Sequence, residues 1–229
     1  MRVIIFILAL SFANVASADN SENIIIMFGD SITSTRPHIP QHLNEARTGN
    51  INGLNVGPTV MTLQNLLREQ KKSVTVLNYG WSGTTSKQGL NRLERVLRDV
   101  KNTHSNASIF LAILYGTNDR LIGNLSPTET KSNIEAMISI SNKNGVKPVL
   151  GALLPRLDFD ISSYNASILE AAKKTNTSVV DHYSVWVSNI DLFEDDGYHP
   201  TKAGYELIGK TWYDEIFKAE VGRKKTYRF

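Results

Sequence analysis

The sequence predicts an α/β fold in which a parallel sheet is covered by helices on both faces. Short apolar segments, typical of buried strands, alternate with longer segments whose apolar residues recur every three or four positions. Polar motifs follow several of the predicted strands directly, at the sheet edge where open α/β folds bind ligands. No internal repeat or low-complexity segment interrupts this pattern, so a single domain is the simplest organisation.

Five strands are predicted, beginning with the apolar run Ile24 to Phe28. The predicted strands are 24–28, 74–77, 109–114, 146–154 and 178–181. Helix boundaries are indicated by Pro58 at a first helical turn, by Ser126 before Pro127, and by Gly145 after an apolar stripe. The predicted helices are 58–70, a segment ending near 100, 126–144, 164–174 and 201–219.

The first eighteen residues, 1–18, have the features of a signal peptide, which leaves 19–229 as the single predicted domain. A short basic start precedes an apolar run that ends near Ala13, and Ala16-Ser17-Ala18 has the small-residue form of a cleavage site. An uncleaved membrane anchor is the alternative. We expect export to the periplasm or beyond, with no stable membrane insertion once the leader is removed. The chain has no cysteine, so it forms no disulfide.

The formal net charge of +3 is too small to indicate nucleic-acid binding. A basic segment, 223–228, lies near the end of the chain and is expected to be a solvated tail. His38 and His42 are spaced as a helical metal-binding pair would be, but no third ligand accompanies them, so a polar loop is the favoured interpretation. We therefore predict no cofactor or metal. His104 and His182 show no evident partner and are expected in surface or loop positions.

Ser31, Asp196 and His199 are the candidate catalytic residues. Ser31 directly follows the first strand, and Asp196 lies three residues before His199. A serine, a histidine that takes its proton and a carboxylate that orients the histidine are the groups needed for nucleophilic acyl transfer. Two alternatives stay open: Ser31 as only a helix N-cap, and Asp195 as the orienting carboxylate.

Four motifs, taken together and in order, resemble the sequence blocks of the SGNH (GDSL) hydrolases. They are Gly29-Asp30-Ser31-Ile32, Asn78-Tyr79-Gly80-Trp81-Ser82-Gly83, Gly116-Thr117-Asn118-Asp119 and Asp196-Gly197-Tyr198-His199-Pro200. Ile32 replaces the leucine of the family's name. The resemblance implies a three-layer α/β/α sandwich with a flavodoxin-like, five-stranded parallel sheet. It also implies that Ser31 is the nucleophile, His199 the base, and Asp196 its partner.

For the oxyanion hole, the resemblance implies the backbone N–H groups of Ser31 and Gly80 and the side-chain amide of Asn118. The predicted function is an exported serine esterase acting through an acyl-enzyme. Small polar or carbohydrate acyl esters are slightly favoured, because the segment 33–58 that leaves the nucleophile is polar and is expected to form a substrate wall. A lysophospholipase or thioesterase, an acyltransferase with the same triad, and a binding protein on the same fold are the alternatives.

Overall fold

The structure is a computed structural model that describes residues 22–35, 38 and 52–218. The predicted signal peptide, most of the segment 33–58 and the basic segment 223–228 lie outside the described residues, so those expectations stay predictions. In the part of the chain that the structure describes, no helix combines the length and apolar character needed to cross a membrane.

Five parallel strands form one sheet in the order β2-β1-β3-β4-β5, which is the flavodoxin-like order that the resemblance implied. The strands are β1 (Asn23–Gly29), β2 (Val74–Gly80), β3 (Ser108–Leu114), β4 (Lys147–Gly151) and β5 (Val179–Val180). In the register of the central strands, Gly29 pairs with both Gly80 and Leu114. The carboxyl ends of β1, β2 and β3 are therefore level, and whatever follows them meets at one edge.

Helices connect the strands and cover both faces of the sheet. They are α1 (Ser31–Ser34), α2 (Pro58–Glu69), α3 (Ser86–Thr103), α4 (Pro127–Lys143), α5 (Ser162–Thr175), α6 (His182–Val187) and α7 (Lys202–Trp212), which continues as a π-helical turn over Tyr213–Phe217. A short 3₁₀ turn, Ile190–Leu192, precedes α7. Helix α2 packs on α7, whereas α3, α4 and α5 pack side by side. The fold is thus the predicted three-layer sandwich.

The start of α4 predicted from Ser126 and Pro127 is confirmed, whereas the end predicted near 100 for α3 falls three residues short. Helices α3 and α4 each begin with a capping box, formed by Thr85 with Gln88 and by Ser126 with Glu129. The predicted strand 146–154 is too long, because β4 begins at Lys147 and ends at Gly151. Helix α6 was not predicted, since its six residues are too few to show a helical period.

Arg92 fastens the carboxyl ends of the strands to one another from within α3. Its side chain is buried, and its guanidinium donates to the carbonyls of Gly29 (3.2 Å) and Tyr79 (2.5 Å) and to the hydroxyl of Tyr115 (2.7 Å). The same group lies over the ring of Phe28 at 4.1 Å. Because a buried cation is costly unless its N–H groups are satisfied, these contacts fix one geometry at the edge of the sheet.

Two buried titratable groups give the fold opposite dependences on pH. The expectation that His182 lies in a surface or loop position is wrong: its ring is fully buried against Trp212, and desolvation lowers its pKa to about 3. His104 is also partnered, by Glu22 at 3.1 Å. Asp30 is fully buried as well, and desolvation raises the pKa of its carboxyl to about 7.

The signs of the two effects follow from proton linkage. Between the ordinary histidine value of 6.5 and about 3, the unfolded chain binds a proton at His182 that the native protein does not, so stability falls as pH falls. Between 3.8 and about 7, the native protein binds a proton at Asp30 that the unfolded chain does not, so stability falls as pH rises. Each effect has a slope of about 1.4 kcal/mol per pH unit, and the two oppose each other where they overlap.

Replacing His182 should therefore remove its own contribution to the pH dependence and leave that of Asp30 unchanged. We expect the stability of His182→Phe, relative to the wild type, to rise by about 1.4 kcal/mol for each unit of pH lowered from 6.5 toward 3.8. Urea unfolding at several pH values measures this difference. Trp186→Phe alters the same helix without removing a titratable group, and its difference from the wild type should not vary with pH. A pH-independent difference for His182→Phe would contradict the account.

Candidate active site

Strand β1 delivers Ser31 to the edge of the sheet as the first residue of α1. The N-cap of this short helix is Asp30, whose Oδ1 accepts the N–H of Ile32 at 3.0 Å. The alternative that Ser31 acts only as the cap is therefore wrong, because its neighbour fills that position. Asn78 holds the end of α1 in place by donating to the carbonyl of Ser34 at 3.3 Å. The Ser31 hydroxyl is thus left free to meet a partner from elsewhere in the chain.

His199 meets Ser31 and Asp196 in one continuous chain of hydrogen bonds. Its Nε2 lies 2.9 Å from Ser31 Oγ, and its Nδ1 lies 2.6 Å from Asp196 Oδ2. The carboxylate accepts, so Nδ1 carries the proton and Nε2 is left as the acceptor for the serine hydroxyl. Ser31, His199 and Asp196 therefore have the order and the tautomer that a serine–histidine–aspartate triad requires.

Asp196, not its neighbour Asp195, occupies the orienting position. Its Oδ1 accepts the backbone N–H groups of Tyr198 (3.1 Å) and His199 (2.9 Å), while Oδ2 faces the imidazole. Desolvation opposes ionisation of Asp196, but the hydrogen bonds from His199 and Tyr198 outweigh it and hold the pKa below its ordinary value. The carboxylate is therefore charged at neutral pH. The backbone bonds also fix the loop in the conformation that aims the imidazole.

Arg156 braces this loop from the far side, a contact that the sequence did not suggest. Its guanidinium lies 3.9 Å from the centre of the Tyr198 ring, which in turn packs 4.3 Å from the His199 ring. Two of its nitrogens donate to the carboxylate of Asp158 at 2.8 and 2.6 Å. Only 4% of the Arg156 side chain is exposed, so the stack is held between fixed neighbours.

A hydrogen bond inside the protein contradicts the predicted role of Gly80 in the oxyanion hole. Its N–H donates to Asn78 Oδ1 at 2.9 Å, so the donor predicted for the oxyanion hole is already engaged inside the protein. Gly80 is the last residue of β2 and is buried, and a Cβ there would come 2.2 Å from the backbone nitrogen of Ser34. Close packing of β2 against α1 therefore explains this glycine. The presence of glycine at position 80 therefore needs no catalytic explanation.

Gly83, three residues further along the chain than Gly80, lies at the cavity instead. It lines the same cavity as Ser31 and Asn118, at a φ of +74° that favours glycine, and its N–H has no acceptor among the described residues. The N–H of Ser31 likewise has no acceptor there. Asn118 Nδ2 donates to the carbonyl of Thr84 at 2.9 Å, which orients the amide and leaves its second N–H available. Ser31, Gly83 and Asn118 thus present three donors to one space.

These groups open on a cavity of about 560 Å³. One part of its wall carries hydroxyls, with Ser34 Oγ and Ser82 Oγ 2.8 Å apart. Ile122 contributes an apolar side chain that is 61% exposed. The cavity is large enough for a small ester and has both polar and apolar surface.

Asp119, the last residue of the third motif, has a structural role. Asp119 is fully buried and accepts hydrogen bonds from the hydroxyls of Ser86 (2.5 Å) and Thr130 (2.6 Å), so it joins α3 to α4.

His38 lines the cavity beside Glu194, whereas His42 lies outside the described residues. Within residues 22–35, 38 and 52–218, no cluster of three or more His, Asp or Glu side chains is placed to hold a metal ion.

Comparison with known families agrees with this geometry. The model of the GDSL-like lipase/acylhydrolase family matches residues 27–207, which include all four motifs and the cavity. The chain belongs to this family. As a GDSL-like acylhydrolase it is an ester hydrolase, which confirms the predicted enzyme class. No curated protein sequence matches the chain.

Solved structures of similar fold include several esterases. A lipase/acylhydrolase from Enterococcus faecalis superposes with a TM-score of 0.69 at 24% identity, covering 89% of this chain and 99% of that one. The esterase EstA from Pseudoalteromonas sp. gives 0.64 at 20%, covering 86% and 98%. The acetylxylan esterase Axe2 from Geobacillus stearothermophilus gives 0.66 at 19%, covering 86% and 94%. At these identities the likeness of this GDSL-like protein to them is one of fold.

The stack of Arg156 on Tyr198 yields a prediction for turnover. Arg156→Ala should lower kcat about tenfold with little change in KM. Without the stack the His199 loop is held less firmly, and we expect this to raise the activation free energy by about 1–2 kcal/mol. Arg156→Lys keeps the charge but loses the planar stack, and it should recover only part of the loss. Steady-state kinetics on an activated ester measures both.

Arg120→Ala is the matched control for this test. Arg120 lies 4.9 Å over the Phe159 ring and is exposed. Among the described residues, no hydrogen bond, ion pair or ring contact joins it to the His199 loop. Its kcat should stay at the wild-type value. A wild-type kcat for a folded Arg156→Ala protein would show that the loop is held without the stack.

Proposed function

We propose that this GDSL-like enzyme hydrolyses carboxylic esters through an acyl-enzyme formed on Ser31, with His199 as the base and Asp196 as its partner. The observation that carries the proposal is the unbroken hydrogen-bonded chain from Asp196 through His199 to Ser31, at 2.6 and 2.9 Å, opening on a cavity. A fold that needed these residues only for packing would have no reason to align all three.

In the first half of the reaction, Ser31 Oγ attacks the ester carbonyl carbon while His199 Nε2 takes the hydroxyl proton. The tetrahedral intermediate then collapses, the bond to the alcohol oxygen breaks, and that oxygen receives the proton from Nε2. The acyl group stays on Ser31. In the second half, water gives a proton to Nε2 and attacks the acyl carbon. The bond between that carbon and Ser31 Oγ then breaks, Oγ takes the proton back from Nε2, and the acid is released.

The negative charge that develops on the carbonyl oxygen requires donors that are already in place. We assign this role to the backbone N–H groups of Ser31 and Gly83 and to the Asn118 amide, since all three line the cavity. Fixed donors are more effective than water because they need no reorganisation during the reaction. Removal of one such donor typically costs roughly a hundred- to a thousandfold in kcat.

For the substrate we propose small polar or carbohydrate acyl esters. The hydroxyls of Ser34 and Ser82 in the cavity wall support this choice, since they offer hydrogen bonds to a polar substrate. Trp81, 50% exposed, directly precedes Ser82 and offers an aromatic surface for a sugar ring. One structural neighbour is described as an acetylxylan esterase, which is a statement about that protein.

Lipid or thioester acyl hydrolysis is the second candidate, and a different observation favours it. Leu121 and Ile122 are 58% and 61% exposed, and Ile122 lines the cavity itself. Apolar side chains in this position could extend the binding surface for a long acyl chain. Transfer of the acyl group to an alcohol in place of water would use the same residues. Export, which we propose from the leader sequence, is compatible with each of these activities.

A panel of p-nitrophenyl esters, from acetyl to palmitoyl, tests the proposed activity. We expect the wild type to prefer the short acyl chains and Ser31→Ala to lose on the order of 10⁴-fold or more in kcat, because no other hydroxyl is paired with His199 among the described residues. Ser132→Ala is the matched control, since Ser132 is exposed on α4 and should not affect turnover.

Outcomes of this assay separate the candidates. An optimum at long chains would replace the small-ester proposal by the lipid one. Residual turnover of Ser31→Ala near the wild-type rate would disprove the nucleophile. Adding an alcohol acceptor and analysing the products distinguishes a hydrolase from a transferase.

A further inference from the structure

The direction of the proposed reaction determines which wall of the cavity contacts the leaving alcohol. His199 Nε2 must give its proton to the alcohol oxygen, so that oxygen has to lie within hydrogen-bond distance of the imidazole. The leaving alcohol therefore contacts the residues next to His199 in the cavity wall. Residues on that wall can select the alcohol moiety independently of the acyl group.

Glu194 stands on this wall, opposite His199. Its backbone N–H donates to the carbonyl of His199 at 2.7 Å, and an isolated antiparallel bridge between Phe193 and Pro200 pairs the two flanking residues. The side chain lines the cavity and is 44% exposed. A carboxylate thus faces the space into which the leaving alcohol must pass.

His38 holds this carboxylate in position. Its Nε2 lies 3.2 Å from Glu194 Oε1, and its own backbone N–H donates to the carbonyl of Thr35 at 3.0 Å, just beyond the helix that carries Ser31. The His38 ring also packs 5.3 Å from that of Tyr205. Glu194 Oε2 has no hydrogen-bond partner in the part of the chain that the structure describes. One carboxylate oxygen is therefore fixed, and the other is available as an acceptor.

We propose that Glu194 is a specificity-determining residue for the leaving alcohol and that it favours alcohols carrying further hydroxyl groups. This inference rests on the ester hydrolysis proposed above. A carboxylate accepts a hydroxyl proton in a charge-assisted hydrogen bond, which an apolar alcohol cannot supply. The same charge repels an alcohol that carries a phosphate. Glu194 thus selects by the chemistry of the alcohol, whatever the acyl group.

The test holds the acyl group constant and varies the alcohol. Three acetate esters serve as probes: the primary-hydroxyl acetate of methyl glucoside, cyclohexylmethyl acetate as its apolar ring analogue, and the acetate of glycerol phosphate. We expect the wild type to favour the sugar ester over the apolar ester by about tenfold in kcat/KM. Glu194→Gln should reduce that ratio several-fold and raise the relative rate for the phosphate-bearing ester.

Asp195→Asn is the matched control, because it removes a neighbouring exposed carboxylate that does not line the cavity. It should leave both ratios at the wild-type values. If Glu194→Gln cleaves all three esters in the wild-type ratios, or slows all three equally, the proposed selection is overturned while the ester hydrolysis stands. If a folded wild type cleaves neither these esters nor p-nitrophenyl acetate, the proposed function itself fails.

Discussion

The hydrogen bond between Ser31 Oγ and His199 Nε2 joins residues that are 168 positions apart, and the rest of the structure has to bring them within 2.9 Å. Parallel strands with level ends achieve this, because right-handed crossovers return each connection to the same edge of the sheet. The serine directly follows β1, an interior strand of the sheet, whereas the histidine lies on a loop just before α7. Small errors in either element would separate the two atoms.

Two arginines limit such errors, and the side chains of both are buried. Arg92 ties the ends of β1 and β2 to Tyr115, so the strand that carries Ser31 cannot slide against its neighbour. Arg156 stacks on Tyr198, while the backbone of Leu157 donates to Gly197 at 3.0 Å, so the histidine loop is held at both ring and backbone. Neither arginine touches the reacting atoms. Each has a buried guanidinium whose polar and aromatic contacts fix the positions of the groups around it.

Much of the fold and of the triad follows from local sequence signals. Apolar runs predicted β1 and β3, and Asp196 preceding His199 by three residues predicted their contact, because both depend on neighbours in the chain. The glycine that we propose for the oxyanion hole did not follow from the sequence. Whether Gly80 or Gly83 lies at the cavity depends on where β2 ends, and the apolar pattern did not fix that residue. The capping box of Thr85 and Gln88 could have shown that Gly83 lies in the turn. Contacts such as His38 with Glu194 require tertiary structure and leave no local pattern.

The most direct test of the account is to trap the acyl-transfer step on the serine. A p-nitrophenyl phosphonate should react stoichiometrically with the wild-type protein, and peptide mass spectrometry should locate the adduct on Ser31. Because His199 takes the hydroxyl proton, His199→Ala should react slower by several orders of magnitude. Equal labelling of the two proteins, or an adduct on another residue, would contradict the claim that the Ser31–His199 hydrogen bond is the centre of this enzyme.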